Sequence, residues 1–132
     1  MPEQNSCAEE HQRLVQIHRC NIDSIHFDCV HQGMAQVMTN GTGRWYNVPE
    51  LQLCGKTGTV QNPHGKDHAI FIGFAPQDNP QIAIAVVVEN AGFGSTWACP
   101  IASLLIEQYI TKQIARPELY NRMSNSYPKE DE

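Results

Sequence analysis

These 132 residues contain no basic run, no C-x-x-C pair and no apolar stretch long enough to cross a bilayer. Each absence excludes something. Lys and Arg number 9 against 14 Asp and Glu, for a net charge of −5, and they are scattered. An electrostatic nucleic-acid binder needs the opposite balance. The cysteines are Cys7, Cys20, Cys29, Cys54 and Cys99. An odd count without close pairs argues against a disulfide framework and leaves at least one thiol free in a monomer. The longest apolar run, Ile82 to Val88, is too short for a membrane span. The opening Met1-Pro2-Glu3-Gln4-Asn5 is polar and acidic, unlike a signal peptide. No export or anchoring signal is expected. What remains is a chain 41% hydrophobic and 17% charged, the balance of one globular domain. No internal repeat is visible.

Residues 1–22 are polar without periodicity and read as an irregular lead-in. Ser24 is expected to cap a helix beginning near Ile25. Phe27, Val30, Met34, Val37 and Met38 give that helix one apolar stripe. Asn40-Gly41 and Gly43 stop it. A loop with Trp45, Tyr46 and Pro49 leads to a strand at Leu51–Val60. Gln61 to Asp67 is a turn by composition. His68–Phe74 reads as a strand covered on both faces. A Pro- and Asn-containing turn then leads to a strand at Ile82–Val88. That strand shows Ile82, Ile84, Val86 and Val88 on one face and Ala83, Ala85 and Val87 on the other. The small residues are expected to admit a closely packed helix. Both connections are too short for parallel crossovers, so the three strands form an antiparallel meander. Ser95 or Thr96 is expected to cap a last helix with Pro100 in its first turn. Its stripe of Ile101, Leu104, Leu105, Tyr109 and Ile110 reaches about Ile114, and Arg116-Pro117 ends it. Residues 121–132 are a polar tail, expected to be disordered from Ser124. The fold class is α+β: a three-stranded antiparallel meander flanked by an N-terminal and a C-terminal helix.

Chemistry concentrates in Leu51-Gln52-Leu53-Cys54-Gly55-Lys56-Thr57-Gly58-Thr59-Val60. Glycine inside a strand costs entropy and often marks a close approach by a ligand or another backbone. Alternation puts Lys56 and Gly58 on one face, Thr57 and Thr59 on the other. A ligand along an open strand edge would meet a cation, a hydroxyl, bare backbone and free N–H groups together. That set suits a carboxylate with a developing oxyanion beside it.

From Cys54 the chain continues Gly55-Lys56-Thr57-Gly58-Thr59-Val60-Gln61-Asn62-Pro63-His64-Gly65-Lys66-Asp67-His68. Phe71-Ile72-Gly73-Phe74-Ala75-Pro76, Ala85-Val86-Val87-Val88-Glu89-Asn90, Gly94-Ser95-Thr96 and Pro100-Ile101-Ala102 follow. Over about Ile22 to Tyr120 the sequence resembles the C-terminal third of the transpeptidase domain of class B penicillin-binding proteins, of the penicillin-binding protein 2 type. Residues 23–120 would then be the C-terminal portion of that domain, a partial β-lactamase/transpeptidase-like fold. The family carries Ser-x-x-Lys, Ser-x-Asn and Lys-Thr-Gly in that order. Only the third stands in its place here. No Ser-x-Asn occurs, and Ser126-Tyr127-Pro128-Lys129 matches Ser-x-x-Lys by letters alone, in the polar tail.

The resemblance implies an acyl-serine mechanism on the D-Ala-D-Ala end of a peptidoglycan stem peptide, imitated by β-lactams. Lys56 would supply positive potential near the substrate carboxylate. Thr57 would donate its hydroxyl to that carboxylate, Gly58 would admit the substrate backbone, and the Thr59 N–H would be one of two oxyanion donors. Lys56 and Thr59 are the catalytic candidates; Thr57, Gly58 and Thr59 are the substrate-binding ones. No cofactor and no metal are implied. The implied partners are the stem peptide, β-lactams and the missing N-terminal part of the domain. The parent family works outside the inner membrane, held there by an N-terminal helix. Lacking two motifs, the chain alone is expected to be inactive.

Blander readings stand beside these. Lys56 alone reads as a snorkelling strand lysine, and Thr57 and Thr59 as strand formers. His64 and His68 read as turn and strand-start residues rather than metal ligands. His18, Cys20, His26, Cys29 and His31 form a denser cluster but fit no zinc spacing. Trp45 and Trp97 read as core or helix–sheet residues. Two other functions stay open: an interaction module that self-associates through exposed sheet edges, and a small zinc-binding domain. A fragment without function is a third possibility.

Overall fold

Asp23 starts the first helix. The computed structural model describes residues 19–128, and in it helix α1 spans Ser24–Thr39, with the Asp23 carboxylate accepting the Ile25 N–H at 3.1 Å. The cap therefore falls one position before the expected Ser24; both residue types can accept an orphan N–H there. At the other end Asn40 and Gly41 both donate to the Gln36 carbonyl, and Gly43 donates to that of Val37. The apolar stripe is covered only near this end. Met38 is fully buried, whereas Phe27 and Val30 are exposed.

The expected strand at Leu51 starts later. Pro49–Leu51 is a single 3-10 turn, and Gln52 takes a left-handed conformation with φ 48°. Strand β1 therefore runs Cys54–Val60, followed by β2 at His68–Ala75 and β3 at Ile82–Val88. They form an antiparallel sheet in the order β1-β2-β3. Thr57 stands opposite Phe71, and Phe71 opposite Val86.

Phe71 organises the covered face of the sheet. Its ring lies across Gly55 and Gly73, where added Cβ atoms would collide with it. Helix α2, Ala98–Thr111, packs on this face against β2 and β3. Ala98, Cys99, Ala102 and Ile106 meet Ala69, Phe71 and Ala75 there, with Ile82, Ile84, Val86 and Val88 at the margin. The helix thus chooses the Ile/Val face of β3, not the expected Ala face. Large side chains remove more apolar surface from water, about 25 cal/mol per Å², and that outweighs closeness of approach. Ala83, Ala85 and Val87 remain exposed. Helix α1 packs against β1, and the His31 ring meets Phe74 on the second face with centroids 4.8 Å apart.

The last part of the chain differs from expectation. Neither Ser95 nor Thr96 caps α2; Trp97 occupies the cap position without a side-chain bond. The helix stops at Thr111, before Ile114, as Lys112 turns left-handed at φ 64°. Arg116-Pro117 then opens another helix, α3, spanning Pro117–Asn125, with proline pre-shaped for its first turn. Ser124 and Asn125, read as tail, belong to it. Residues 1–18 of the lead-in and 129–132 of the tail lie outside the described residues. Among the described residues, no helix is long and apolar enough to cross a membrane.

Candidate functional site

The open edge of β1 is the centre of the site. Gly58 stands opposite Ile70. A Cβ placed on Gly94 would overlap the carbonyl oxygens of both Gly58 and Ile70. Two oxygens that one methyl could touch face each other across the ladder, so Gly58 and Ile70 form a hydrogen-bonded pair. Antiparallel pairs alternate between bonded and non-bonded. The N–H and C=O groups of Thr57 and Thr59 therefore point away from β2, where no other strand pairs among the described residues. Lys56 agrees with this sense: its Nζ donates to the Thr57 carbonyl at 2.6 Å.

Side chains add to that edge. Lys56 and Thr59 are exposed, and Thr57 and Gly58 are half-buried. A Cβ on Gly58 would sit 3.5 Å from the Ile70 Cβ, an ordinary contact. Nothing among the described residues requires glycine there, unlike at Gly55. The Thr57 hydroxyl meets that of Thr42 at 2.8 Å. Nothing in the sequence singles out Thr42; Asn40-Gly41 and Gly43 around it mark only the helix stop.

The motif beyond β1 folds into a tied loop. The Asn62 amide donates to the Asn90 side chain at 2.6 Å and to the Lys66 carbonyl at 3.2 Å. Its own backbone N–H donates to Asp67 Oδ1 at 3.1 Å. His68 Nδ1 accepts the Asn90 N–H at 3.0 Å. The Gly92 N–H reaches the Asp67 carbonyl at 2.7 Å. Asn62, Asp67, His68 and Asn90 thereby fasten the β1–β2 turn to the loop after β3, at the Thr59 end of the edge. His64 enters only through its backbone, donating to Asn62 Oδ1.

Other candidates separate. Ser126 follows the last turn of α3 in extended conformation, not at the start of a buried helix; Lys129 is outside the described residues. Cys20 and Cys29 are exposed, and His18 is also outside. Among the described residues, no three His, Cys, Asp or Glu side chains gather as a metal site. Trp97 packs on the core, but Trp45 is 74% exposed, with the Arg44 guanidinium 4.8 Å above its ring. That corrects the reading of Trp45 as a core residue. Burial pushes the Cys54 thiol up, with the Asp78 charge adding to it. Burial pushes Cys99 up to about 12, against the opposing pull of Arg116.

The residues match the family model described as the penicillin-binding protein transpeptidase domain over positions 4–107. The chain belongs to this family. Strand β1 lies inside the matched stretch, and helix α2 runs past its end. The chain is 34% identical over 113 residues to the peptidoglycan D,D-transpeptidase MrdA of Haemophilus influenzae, covering 72% of this chain and 17% of that protein. It is 36% identical over 101 residues to MrdA of Acinetobacter baumannii, covering 65% and 15%. Among solved structures it is similar to Pseudomonas aeruginosa PBP2 in complex with WCK 5153, with a TM-score of 0.63 and 39% identity over 71% of this chain and 22% of that one. It is also similar to penicillin-binding protein A from M. tuberculosis in its ceftriaxone acyl-enzyme complex, with a TM-score of 0.54 and 30% identity, covering 61% and 20%. The α+β arrangement of three antiparallel strands and helices is that of these transpeptidase domains. The chain spans roughly a sixth of the MrdA proteins' length.

Proposed function

We propose that residues 56–59 are the carboxylate- and oxyanion-binding edge of a peptidoglycan D,D-transpeptidase. The observation that carries this is the β1 edge: an outward Thr59 N–H, a half-buried Thr57 hydroxyl and the Lys56 ammonium, held on one open strand. In the reaction, a serine oxygen bonds to the carbonyl carbon between the two D-Ala residues. The peptide C–N bond breaks, and the terminal D-Ala leaves as the protonated amine. An amine from a second stem peptide then displaces the serine. Thr57 and Lys56 hold the terminal carboxylate, and the Thr59 N–H meets the oxygen that becomes negative in between. Losing one such donor costs about two to three powers of ten in rate. The serine and its base are not supplied by residues 19–128, so this stretch binds and orients without acylating. Titrating the chain with N-acetyl-D-alanyl-D-alanine tests the reading. Amide shifts centred on Thr57–Thr59 support it; shifts elsewhere, or none, contradict it.

A second reading draws on the same edge. The open sides of β1 and β3, with Val60 and Val87 exposed on those strands, suit strand addition by a partner or a second copy. The occupant implied by the family is the N-terminal part of the domain. Light scattering on a concentrated sample separates the two: a clean monomer counts against self-association.

A further inference from the structure

We propose that Thr42 is a positioning residue that aims the Thr57 hydroxyl hydrogen at a bound carboxylate. This rests on the reading of the β1 edge given under Proposed function. The two hydroxyl oxygens are 2.8 Å apart, and among the described residues neither has another hydrogen-bond partner. A hydroxyl has one hydrogen to give and two lone pairs to accept with. A pair at this distance shares one hydrogen and leaves the other for a third group. A carboxylate only accepts. When it lies against Thr57 it takes the Thr57 hydrogen, and the contact with Thr42 persists only with Thr42 donating. The chain then runs in one sense, from Thr42 through Thr57 to the carboxylate. Bonds in such a chain polarise one another, by roughly 10–30% each.

Thr42 is well placed to do this because its turn is tied down. Gly41 donates to the Gln36 carbonyl at 3.0 Å, Gly43 to that of Val37 at 3.0 Å, and Arg44 to that of Gly41 at 3.3 Å. The Arg44 guanidinium adds a bond to the same Gly41 carbonyl at 3.2 Å. A Cβ on Gly41 would stand 2.8 Å from the Val37 Cα, and one on Gly43 would press on the Met38 sulfur. The two glycines let the turn close on the buried end of α1. A donor on such a support is set before the ligand arrives, which is what a preorganised site requires.

The test uses the intact chain, labelled with nitrogen-15, and two probes: N-acetyl-D-alanyl-D-alanine and its C-terminal amide. Thr42→Val should weaken binding of the carboxylate form about three- to ten-fold, the net worth of one hydrogen bond, and change the amide form less. Thr42→Ser should restore it. On a Thr57→Val background, Thr42→Val should have no further effect. Wild-type affinity in Thr42→Val overturns the inference. So does an equal loss on the Thr57→Val background, which marks a merely structural role. Failure of the wild-type chain to shift at Thr57–Thr59 is a separate outcome. It overturns the reading of the edge itself, and the inference with it.

Discussion

Arg116 sets its Nε 3.2 Å from the Glu107 carboxylate, whose side chain is only 4% exposed. The same guanidinium reaches the Ser103 hydroxyl at 2.9 Å and the Tyr46 carbonyl at 3.3 Å. Ser103 in turn donates to that carbonyl at 2.6 Å. One side chain thus joins α2, the connection to α3 and the turn that delivers β1. Removing one partner of a buried pair strands the other, at a cost of about 3–5 kcal/mol. Arg116→Ala is expected near the lower end, because the arginine is itself 24% exposed. Urea unfolding measures it. Glu107→Gln should cost less, since a neutral amide still accepts.

Glycines on β1 and β2 separate stability from binding. Gly55→Ala and Gly73→Ala would both drive a methyl into the Phe71 ring. Overpacking of this kind costs about 1–3 kcal/mol. Gly58→Ala meets only an ordinary contact with Ile70 and should unfold close to the wild type. It should nevertheless weaken dipeptide binding, because its methyl joins the Lys56 face along the ligand's path. Thermal unfolding and the dipeptide titration, run on all three variants, check the contrast.

Alkaline pH should loosen the core through Cys99. Its thiol is held up to about 12 by burial, well above an exposed cysteine near 8.5. The native state therefore keeps the proton over a range where the unfolded chain has lost it. Stability from this group is intact below about pH 8.5 and declines toward pH 12, by up to about 1.4 kcal/mol per pH unit. Urea midpoints between pH 7 and 11 should fall above pH 9, and the fall should shrink in Cys99→Ala. A flat profile contradicts the burial argument.

A fluorescent penicillin should leave the chain unlabelled. Covalent labelling would refute the claim that residues 19–128 orient without acylating. Labelling at Ser126 would show that the residue after α3 is a nucleophile after all.

The sheet was legible because its information is local. Alternation, short turns and the Ile82–Val88 run define three strands and forbid crossovers, and β3 has the expected limits. The Lys-Thr-Gly strand and the long motif after it were equally plain. Partners distant in sequence were not. Thr42 and Thr57 are fifteen residues apart and no periodicity links them. Arg116 looked like punctuation beside Pro117, yet its partners include Tyr46, seventy residues away. The small face of β3 suggested helix packing by shape, while burial follows the larger Ile and Val side chains. Helix α3 is hard to read because it is short and mostly polar: its signals are Pro117 and Glu118 in the first turn, Arg122 in the last, and the three apolar residues Leu119, Tyr120 and Met123.

The central claim is that the Thr59 N–H points outward from an unpaired edge while Gly58 is bonded to β2. Amide hydrogen exchange tests this most directly. In the free chain Thr59 should exchange fast and Gly58 slowly, and N-acetyl-D-alanyl-D-alanine should slow Thr59. A Thr59 amide as protected as Gly58 before any ligand is added would contradict the account.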